Sequence, residues 1–217
     1  MIKKRVAVLI SGRGSNMAAL IAAATDETFP AAIVLVLSNR PGAAGLATAR
    51  DRAIETVVVD HAVYGRDREA FERAMQERLE AHRVELVCLA GFMRLFTPWF
   101  VGRWQGRMIN IHPALLPAFK GLDTHEQALA AGVKIHGASV HFVVPDMDAG
   151  PIIAQGAVAV RDDDTTATLA ERVLAIEHRI FPAALALLAA GRVTVVDGRC
   201  RIEGTGGSSG HLIVPEI

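Results

Sequence analysis

Asn110, His112 and Asp148 are residue types that move protons and stabilise charge, and each falls where a strand ends or a turn begins. Asn110 and His112 are two apart in the apolar run around Met108–Ile111, so on a strand both point to one face. Pro113 and again Pro117 break that strand, because a proline cannot continue a central strand. Open α/β sheets place their ligands just outside such carboxyl ends. Asp148 lies in the turn cluster Asp146-Met147-Asp148-Ala149-Gly150-Pro151. No Ser or Cys has a nucleophile-elbow context such as GxSxG, so an imidazole, a carboxamide and a carboxylate at one edge suit proton transfer and oxyanion stabilisation instead. The carboxylate favours the imidazolium form of His112, and histidine begins near pKa ~6.5, so a modest push makes it cationic at neutral pH. A cationic His112 and a neutral Asn110 donor then suit a tetrahedral oxyanion of acyl transfer. Two other readings stay open. The polar groups could simply satisfy nearby backbone, since Asp-x-Gly-Pro is good turn chemistry by itself. Asp148, His112 and His136 could also ligate a metal, although no HxxxH or HExxH spacing supports it.

A second chemical signal sits near the N-terminus. The unalternating apolar run Val6–Ile10 leads into Ser11-Gly12-Arg13-Gly14-Ser15-Asn16 and then into an Ala-rich helix to about Ala24. Strand, Gly-rich turn and helix form a phosphate-binding geometry, in which glycines let the backbone approach and the helix start offers free N–H groups. The loop is neither GxGxxG nor GxxxxGK[ST], so as a bare pattern it is unspecific. Arg13 either adds a phosphate contact or is a solvated charge; exposed arginine is the usual case.

The elements that must position these residues follow from periodicity. Apolar runs at Val6–Ile10, Ile33–Leu37, Thr56–Val59, Val84–Ala90 and Met108–Ile111 read as buried parallel strands. Between them the pattern predicts helices over about Ala43–Ala53 and Arg66–Arg83, with Phe71, Met75 and Leu79 spaced by four, and a Pro98-initiated helix. Phe92-Met93-Arg94-Leu95-Phe96 exposes large apolar groups around one cation, so this loop caps the core or lines a pocket. After Gly121 come a helix over Thr124–Ala131, a strand Lys134–Val143 with alternate polar residues, and a strand Ile152–Val160. The last two form a hairpin-type pair added to the sheet. A long helix over about Thr166–Ala190 has Pro182 as an expected kink, and two short strands flank Asp197-Gly198. Gly204–Gly210 is Gly/Ser-rich, a composition expected to be mobile. Strand–helix alternation predicts a doubly wound, mostly parallel α/β sheet of about seven strands with helices on both faces, and an antiparallel element near the C-terminus.

The bulk composition fits one domain. The 217 residues are 51% hydrophobic and 5% aromatic, so aliphatic packing dominates. Lys plus Arg and Asp plus Glu number 23 each, and no basic excess argues for a nucleic-acid surface. Two cysteines, Cys88 and Cys200, make neither a disulfide framework nor a zinc site. Val6–Ile10 is shorter than the roughly 7–15 residues of a secretory apolar region, and no stretch approaches the roughly 20 of a membrane span. A cytoplasmic protein without membrane partners is expected.

Five segments in this order, LISGRGSN, LAGFMRLF, NIHPALLPAFKG, GASVHFV and DAGPII, closely resemble the folate-dependent glycinamide ribonucleotide formyltransferases over about Val6–Phe181. The resemblance implies a formyltransferase-like fold with a Rossmann-type N-terminal half. It also implies formyl transfer from 10-formyltetrahydrofolate to the amine of glycinamide ribonucleotide in purine (IMP) biosynthesis, with no metal. Asn110, His112 and Asp148 then match the catalytic trio, with Asp148 helping a proton from the amine towards the folate nitrogen. Gly14, Ser15, Asn16 and Glu177 match the ribonucleotide side. Arg68, Met93, Arg94, Leu95, Phe96, Asn110, Val144, Pro145, Asp146, Met147 and Asp148 match the folate side, and Val87–Leu89 with Met93–Phe96 are expected to form an apolar slot for the pterin. The resemblance divides the single domain, 1–217, into a ribonucleotide-phosphate lobe (about 1–105), a catalytic and folate lobe (about 106–190) and a tail (191–217). Small molecules are the partners it implies, and a homodimer is left open.

Arg13 stands where members often have Asn, and Ala114 where they often have Ser. Relatives of other function share parts of the pattern. Methionyl-transfer-RNA formyltransferase adds a C-terminal, typically basic domain for RNA, for which this chain is expected to be too short and too neutral. Formyltetrahydrofolate deformylase shares the stretch from Asn110 onward but has no need of a ribonucleotide phosphate loop, and normally carries an N-terminal regulatory domain. A nucleotide-binding sensor would keep the Gly loop and not require His112 or Asp148.

Overall fold

The computed structural model describes residues 2–204; the segment 205–210 of the Gly/Ser-rich stretch lies outside the described residues. Nine strands and six α-helices follow one another as β1 (Lys4–Ile10), α1 (Ser15–Ala24), β2 (Ala31–Ser38), α2 (Gly45–Arg50), β3 (Thr56–Val58), α3 (Arg68–Ala81), β4 (Leu86–Leu89), α4 (Pro98–Arg103), β5 (Met108–His112), α5 (Thr124–Ala130), β6 (Ile135–Phe142), β7 (Ile152–Ala159), α6 (Thr166–Ala189), β8 (Val193–Val196) and β9 (Arg199–Ile202). A 3-10 turn at His61–Tyr64 precedes α3.

Seven strands form one sheet in the order β3-β2-β1-β4-β5-β6-β7. β1 to β5 pair in parallel, and β6 and β7 are antiparallel additions. The chain first builds outward from β1 to β3 and then returns to lay β4 on the other side of β1. The crevice for a ligand therefore opens above the carboxyl ends of β1 and β4, and β5 ends beside it.

The apolar strands of the centre are covered on both faces, which is why they do not alternate. Val6, Val8, Ile10, Cys88, Ile109 and Val140 share one core with residues of α1, α2 and α6. Ala7, Leu9, Leu35, Val87 and Met108 share the other with Phe71, Met75 and Leu79 of α3 and Phe100 of α4. Met108 and the residues two and four further on, Asn110 and His112, thus belong to the α3/α4 face.

Two helices depart from expectation, and a third follows it. α2 is shorter than Ala43–Ala53, because Ala53 has positive φ (56°) and the chain is already turning towards β3. α3 starts at Arg68 because the Asp67 side chain caps it, accepting the Ala70 N–H at 2.9 Å. α6 runs on through Pro182 as one helix of 24 residues, started by a Thr165–Thr168 capping box. The small β8–β9 hairpin turns at Asp197-Gly198, both at positive φ (51° and 72°), as a two-residue hairpin turn requires.

Candidate active site

The helix start after β1 is a tight turn with no side-chain cap. Gly14 is the N-cap of α1 in the left-handed region, φ 74°. A side chain there would put a Cβ 3.1 Å from the Gly45 Cα, against a segment whose Gly45 N–H donates to the Gly12 carbonyl at 3.0 Å. No side chain caps α1, and the first-turn N–H groups of Ser15, Asn16 and Met17 have no acceptor within the helix and form the positive end of its dipole. The Asn16 side chain does not join them. Its amide donates to the Glu177 carboxylate of α6 at 2.5 Å, with both residues buried. Burial pushes the Glu177 carboxyl above its ordinary value, against the opposing pull of that amide. Arg13 is exposed.

At the end of β5 the structure brings His112 and Asp148 together and places Asn110 beside His141, which in turn approaches Asp148. Nδ1 of His112 lies 3.5 Å from a carboxylate oxygen of Asp148, an ion-pair rather than a hydrogen-bond distance, and both side chains are nearly buried. The other ring nitrogen, Nε2, is 2.9 Å from the Phe119 carbonyl. Both nitrogens of His112 face oxygen acceptors, so donation to a ligand requires the Phe119 carbonyl to give way. Asp148 is held in a left-handed conformation (φ 49°) that aspartate tolerates, with its carboxylate accepting the Gly121 N–H at 2.9 Å. Gly150, two residues on, permits the turn: a Cβ there would lie 1.7 Å from the Phe142 carbonyl oxygen. Asn110 takes its hydrogen-bond partner from another strand. It stands opposite His141 on β6, and its amide nitrogen lies 3.2 Å from Nε2 of that ring.

His141 is the neighbour that the sequence reading left without a role. Nδ1 of its ring is 2.9 Å from the Phe142 carbonyl, and Nε2 is 3.7 Å from Asp148. Burial holds this imidazole below its ordinary pKa even though the Phe142 carbonyl and the Asp148 charge pull the other way. The ring is therefore neutral, and the approach to Asp148 is not an ion pair. The signal was present: Ser139 and His141 alternate on β6 as His112 and Asn110 do on β5, but it needed the register His112↔Ser139 and Asn110↔His141 to be read. His136 pairs with His125, its Nε2 3.2 Å from Nδ1 of that ring. Among the described residues no group of three or more His, Cys, Asp or Glu is placed to hold a metal ion.

The loop after β4 closes the other side of the crevice. Met93 and Leu95 expose their side chains, and Arg94 is half-buried. Phe96 is half-buried, its ring stacked between Phe92 and Phe100 at centroid distances of 5.3 and 4.7 Å. Val87 and Cys88 are fully buried and cannot line a slot, which leaves the strand end at Leu89. Arg68 meets this loop, donating to the Leu95 carbonyl at 2.5 Å. Val144, Pro145, Asp146 and Met147 belong to the β6–β7 connection that carries Asp148, with Met147 half-exposed and its methyl 3.6 Å from where a Gly121 Cβ would be. A cleft of about 360 Å³ between Gln76, Glu80 and Arg103 is separate from all of these residues, and its Glu80 and Arg103 pair with each other at 3.0 Å.

A doubly wound sheet with an uncapped helix start after β1 and a nearly buried His–Asp pair reached from β5 has the layout of an α/β enzyme whose site lies at the switch point of the sheet. The formyl transferase family matches this chain over residues 4–185. The "Trifunctional purine biosynthetic protein adenosine-3" of Bos taurus is 52% identical over 191 residues, 88% of this chain and 19% of that protein. The chain thus spans about a fifth of the length of that relative. The "Phosphoribosylglycinamide formyltransferase" of Escherichia coli (strain K12) is 39% identical over 199 residues, 92% of this chain and 93% of that one. Among solved structures, glycinamide ribonucleotide transformylase 1 from Symbiobacterium toebii superposes with a TM-score of 0.89 at 45% identity, covering 92% of this chain and 94% of that one. A formyltetrahydrofolate deformylase from Pseudomonas syringae pv. tomato superposes with a TM-score of 0.85 at 27% identity, covering 92% of this chain and 66% of that one. The chain belongs to the formyl transferase family.

Proposed function

We propose that this protein transfers the formyl group of 10-formyltetrahydrofolate to the amine of N1-(5-phospho-D-ribosyl)glycinamide, giving the N2-formyl product and tetrahydrofolate. The observation that carries this over deformylation is the uncapped start of α1, a phosphate-type site that a hydrolase acting on the folate alone has no need of. In this reading the N–H groups of Gly14, Ser15 and Asn16 take the ribonucleotide phosphate, and Glu177 fixes Asn16 from behind. The pterin lies against Met93, Leu95 and the Leu89 strand end, between the loop after β4 and the β6–β7 connection. Pockets of this kind are mostly apolar with a few placed polar groups.

The amine nitrogen attacks the formyl carbon, a tetrahedral adduct forms, and the bond from that carbon to the folate nitrogen breaks. One amide hydrogen of Asn110 is engaged by His141; the second donates to the developing oxyanion. His112 joins it once the Phe119 carbonyl is displaced. Asp148, already 3.5 Å from His112, offers the base through which a proton leaves the amine and reaches the folate nitrogen by way of water. No covalent adduct with the protein is required.

Incubation with both substrates tests this. Tetrahydrofolate should appear only when the ribonucleotide and the formyl folate are present together. Its release from the folate alone would make the protein a deformylase, and binding of the ribonucleotide without turnover would make it a sensor.

A further inference from the structure

The backbone between Phe92 and Thr97 is held from three directions. At its start the Met93 N–H donates to the Ser11 hydroxyl at 2.8 Å. In its middle the Arg68 guanidinium donates to the Leu95 carbonyl at 2.5 Å. At its end the Glu72 carboxylate accepts the Thr97 N–H at 2.7 Å and, on its second oxygen, the Thr97 hydroxyl. Arg68 and Glu72 are one turn apart on α3, hence on one face.

Packing does not call for Glu72. The apolar face of α3 is supplied by Phe71, Met75 and Leu79, whereas Glu72 is a carboxylate only 1% exposed. A buried carboxylate is costly unless its oxygens are satisfied, and both oxygens here go to one residue. That residue is the N-cap of α4, a place where threonine ordinarily caps the helix with its own hydroxyl. Thr97 makes no such cap bond and gives its hydroxyl to Glu72. The arrangement gives up a local cap bond in order to tie the loop end to α3.

We infer that Glu72 is a positioning residue for the folate side of the reaction: acting through Thr97, it fixes the carboxyl end of the loop that presents Met93 and Leu95 to the pterin. The inference rests on the folate reading given above. It says that the loop is framed before the ligand arrives, with Ser11 at one end and Glu72 at the other.

Steady-state kinetics of Glu72→Met and Glu72→Gln test it. The methionine fills the space without accepting, so the KM for the folate should rise about tenfold while that for the ribonucleotide stays within about twofold. Glutamine can accept the Thr97 N–H and donate to the hydroxyl, and should restore the folate KM to within about threefold of wild type. Equal rises in both constants, or no rise, would overturn the inference in favour of a merely structural role. If Glu72→Met does not fold, Thr97→Val removes only the hydroxyl, and its folate KM should rise a few-fold with the ribonucleotide constant unmoved. Amide NMR supplies a readout independent of activity: the Thr97 N–H should exchange clearly faster in Glu72→Met than in wild type, and close to the wild-type rate in Glu72→Gln. An unchanged Thr97 amide refutes the frame. Should the wild type transfer no formyl group, the folate reading falls, and the amide measurement judges the frame alone.

Discussion

Asn110 and His141 face each other across the antiparallel pair of β5 and β6, with the Asn110 amide nitrogen 3.2 Å from Nε2 of the ring. Nδ1 of the same ring is 2.9 Å from the Phe142 carbonyl, so it carries the proton and Nε2 accepts. Burial keeps the imidazole neutral, which preserves that acceptor at neutral pH. The result is an Asn110 carboxamide with its NH₂ end fixed in direction: one hydrogen is committed to His141, and the other is free for the crevice.

The pair should act as a unit. Asn110→Ala should lower turnover by about 10²–10³, the usual cost of an oxyanion donor. His141→Leu leaves the donor but lets it rotate, and about a tenfold loss of turnover is expected, with both Michaelis constants within about twofold. The double variant should be hardly worse than Asn110→Ala alone, because neighbours in one network are not additive. Fully additive losses would show that His141 supports the site in some other way.

Gly14 offers a test of the ribonucleotide side. Its φ of 74° disfavours any side chain, and a Cβ would come within 3.1 Å of Gly45 and 3.2 Å of the Met17 methyl. Gly14→Val should therefore distort the α1 start locally. The ribonucleotide KM should rise by about tenfold or more, with the folate constant little changed. Equal changes in both would place the phosphate elsewhere.

The sheet was legible because its signals are local. Val6–Ile10 and Leu86–Leu89 are apolar without alternation, and only strands covered on both faces read that way. The Asn110–His112 pair was legible for the same reason, since a spacing of two decides the face whatever surrounds it. What stayed hidden depends on partners distant in the chain. The stacking of Phe96 between Phe92 and Phe100 shows only once the loop is folded over α4. His141 acquires a purpose only from the strand register, and Ser11 only from meeting Met93, 82 residues away. Helix ends were missed by a few residues where a cap such as Asp67, or a left-handed residue such as Ala53, outweighs composition.

Glu177 makes stability depend on pH. Its folded pKa is raised by burial, whereas in the unfolded chain it titrates near the ordinary ~4.3. Between those values the folded state holds a proton that the unfolded chain has lost. Its contribution is fully present below the unfolded value and is lost as pH rises through the folded one. Glu177→Gln keeps an oxygen for the Asn16 amide and removes the titration. Urea unfolding followed from about pH 4 to 8 should show a shallower decline for Glu177→Gln than for wild type, and equal or greater stability at neutral pH. Parallel curves for the two proteins would mean that Glu177 is not protonated in the fold.

Asp148 allows charge to be separated from shape. Asparagine tolerates the left-handed φ of 49° nearly as well, and its side-chain oxygen can still accept the Gly121 N–H that Asp148 now accepts at 2.9 Å. Asp148→Asn therefore keeps the turn and removes the negative charge 3.5 Å from His112. If that charge carries the proton transfer, turnover should fall by about 10²–10³, or roughly 3–4 kcal/mol of transition-state stabilisation, with both Michaelis constants within about threefold. Asp148→Ala adds the loss of the Gly121 bond and should lower the melting temperature as well, so the two variants together divide the chemical role from the structural one. The test is a single comparison near neutral pH. Wild-type turnover in Asp148→Asn, with a drop only in Asp148→Ala, would make Asp148 a turn residue whose carboxylate happens to lie beside His112. A large loss of turnover in the asparagine variant at unchanged melting temperature would place its charge in the reaction.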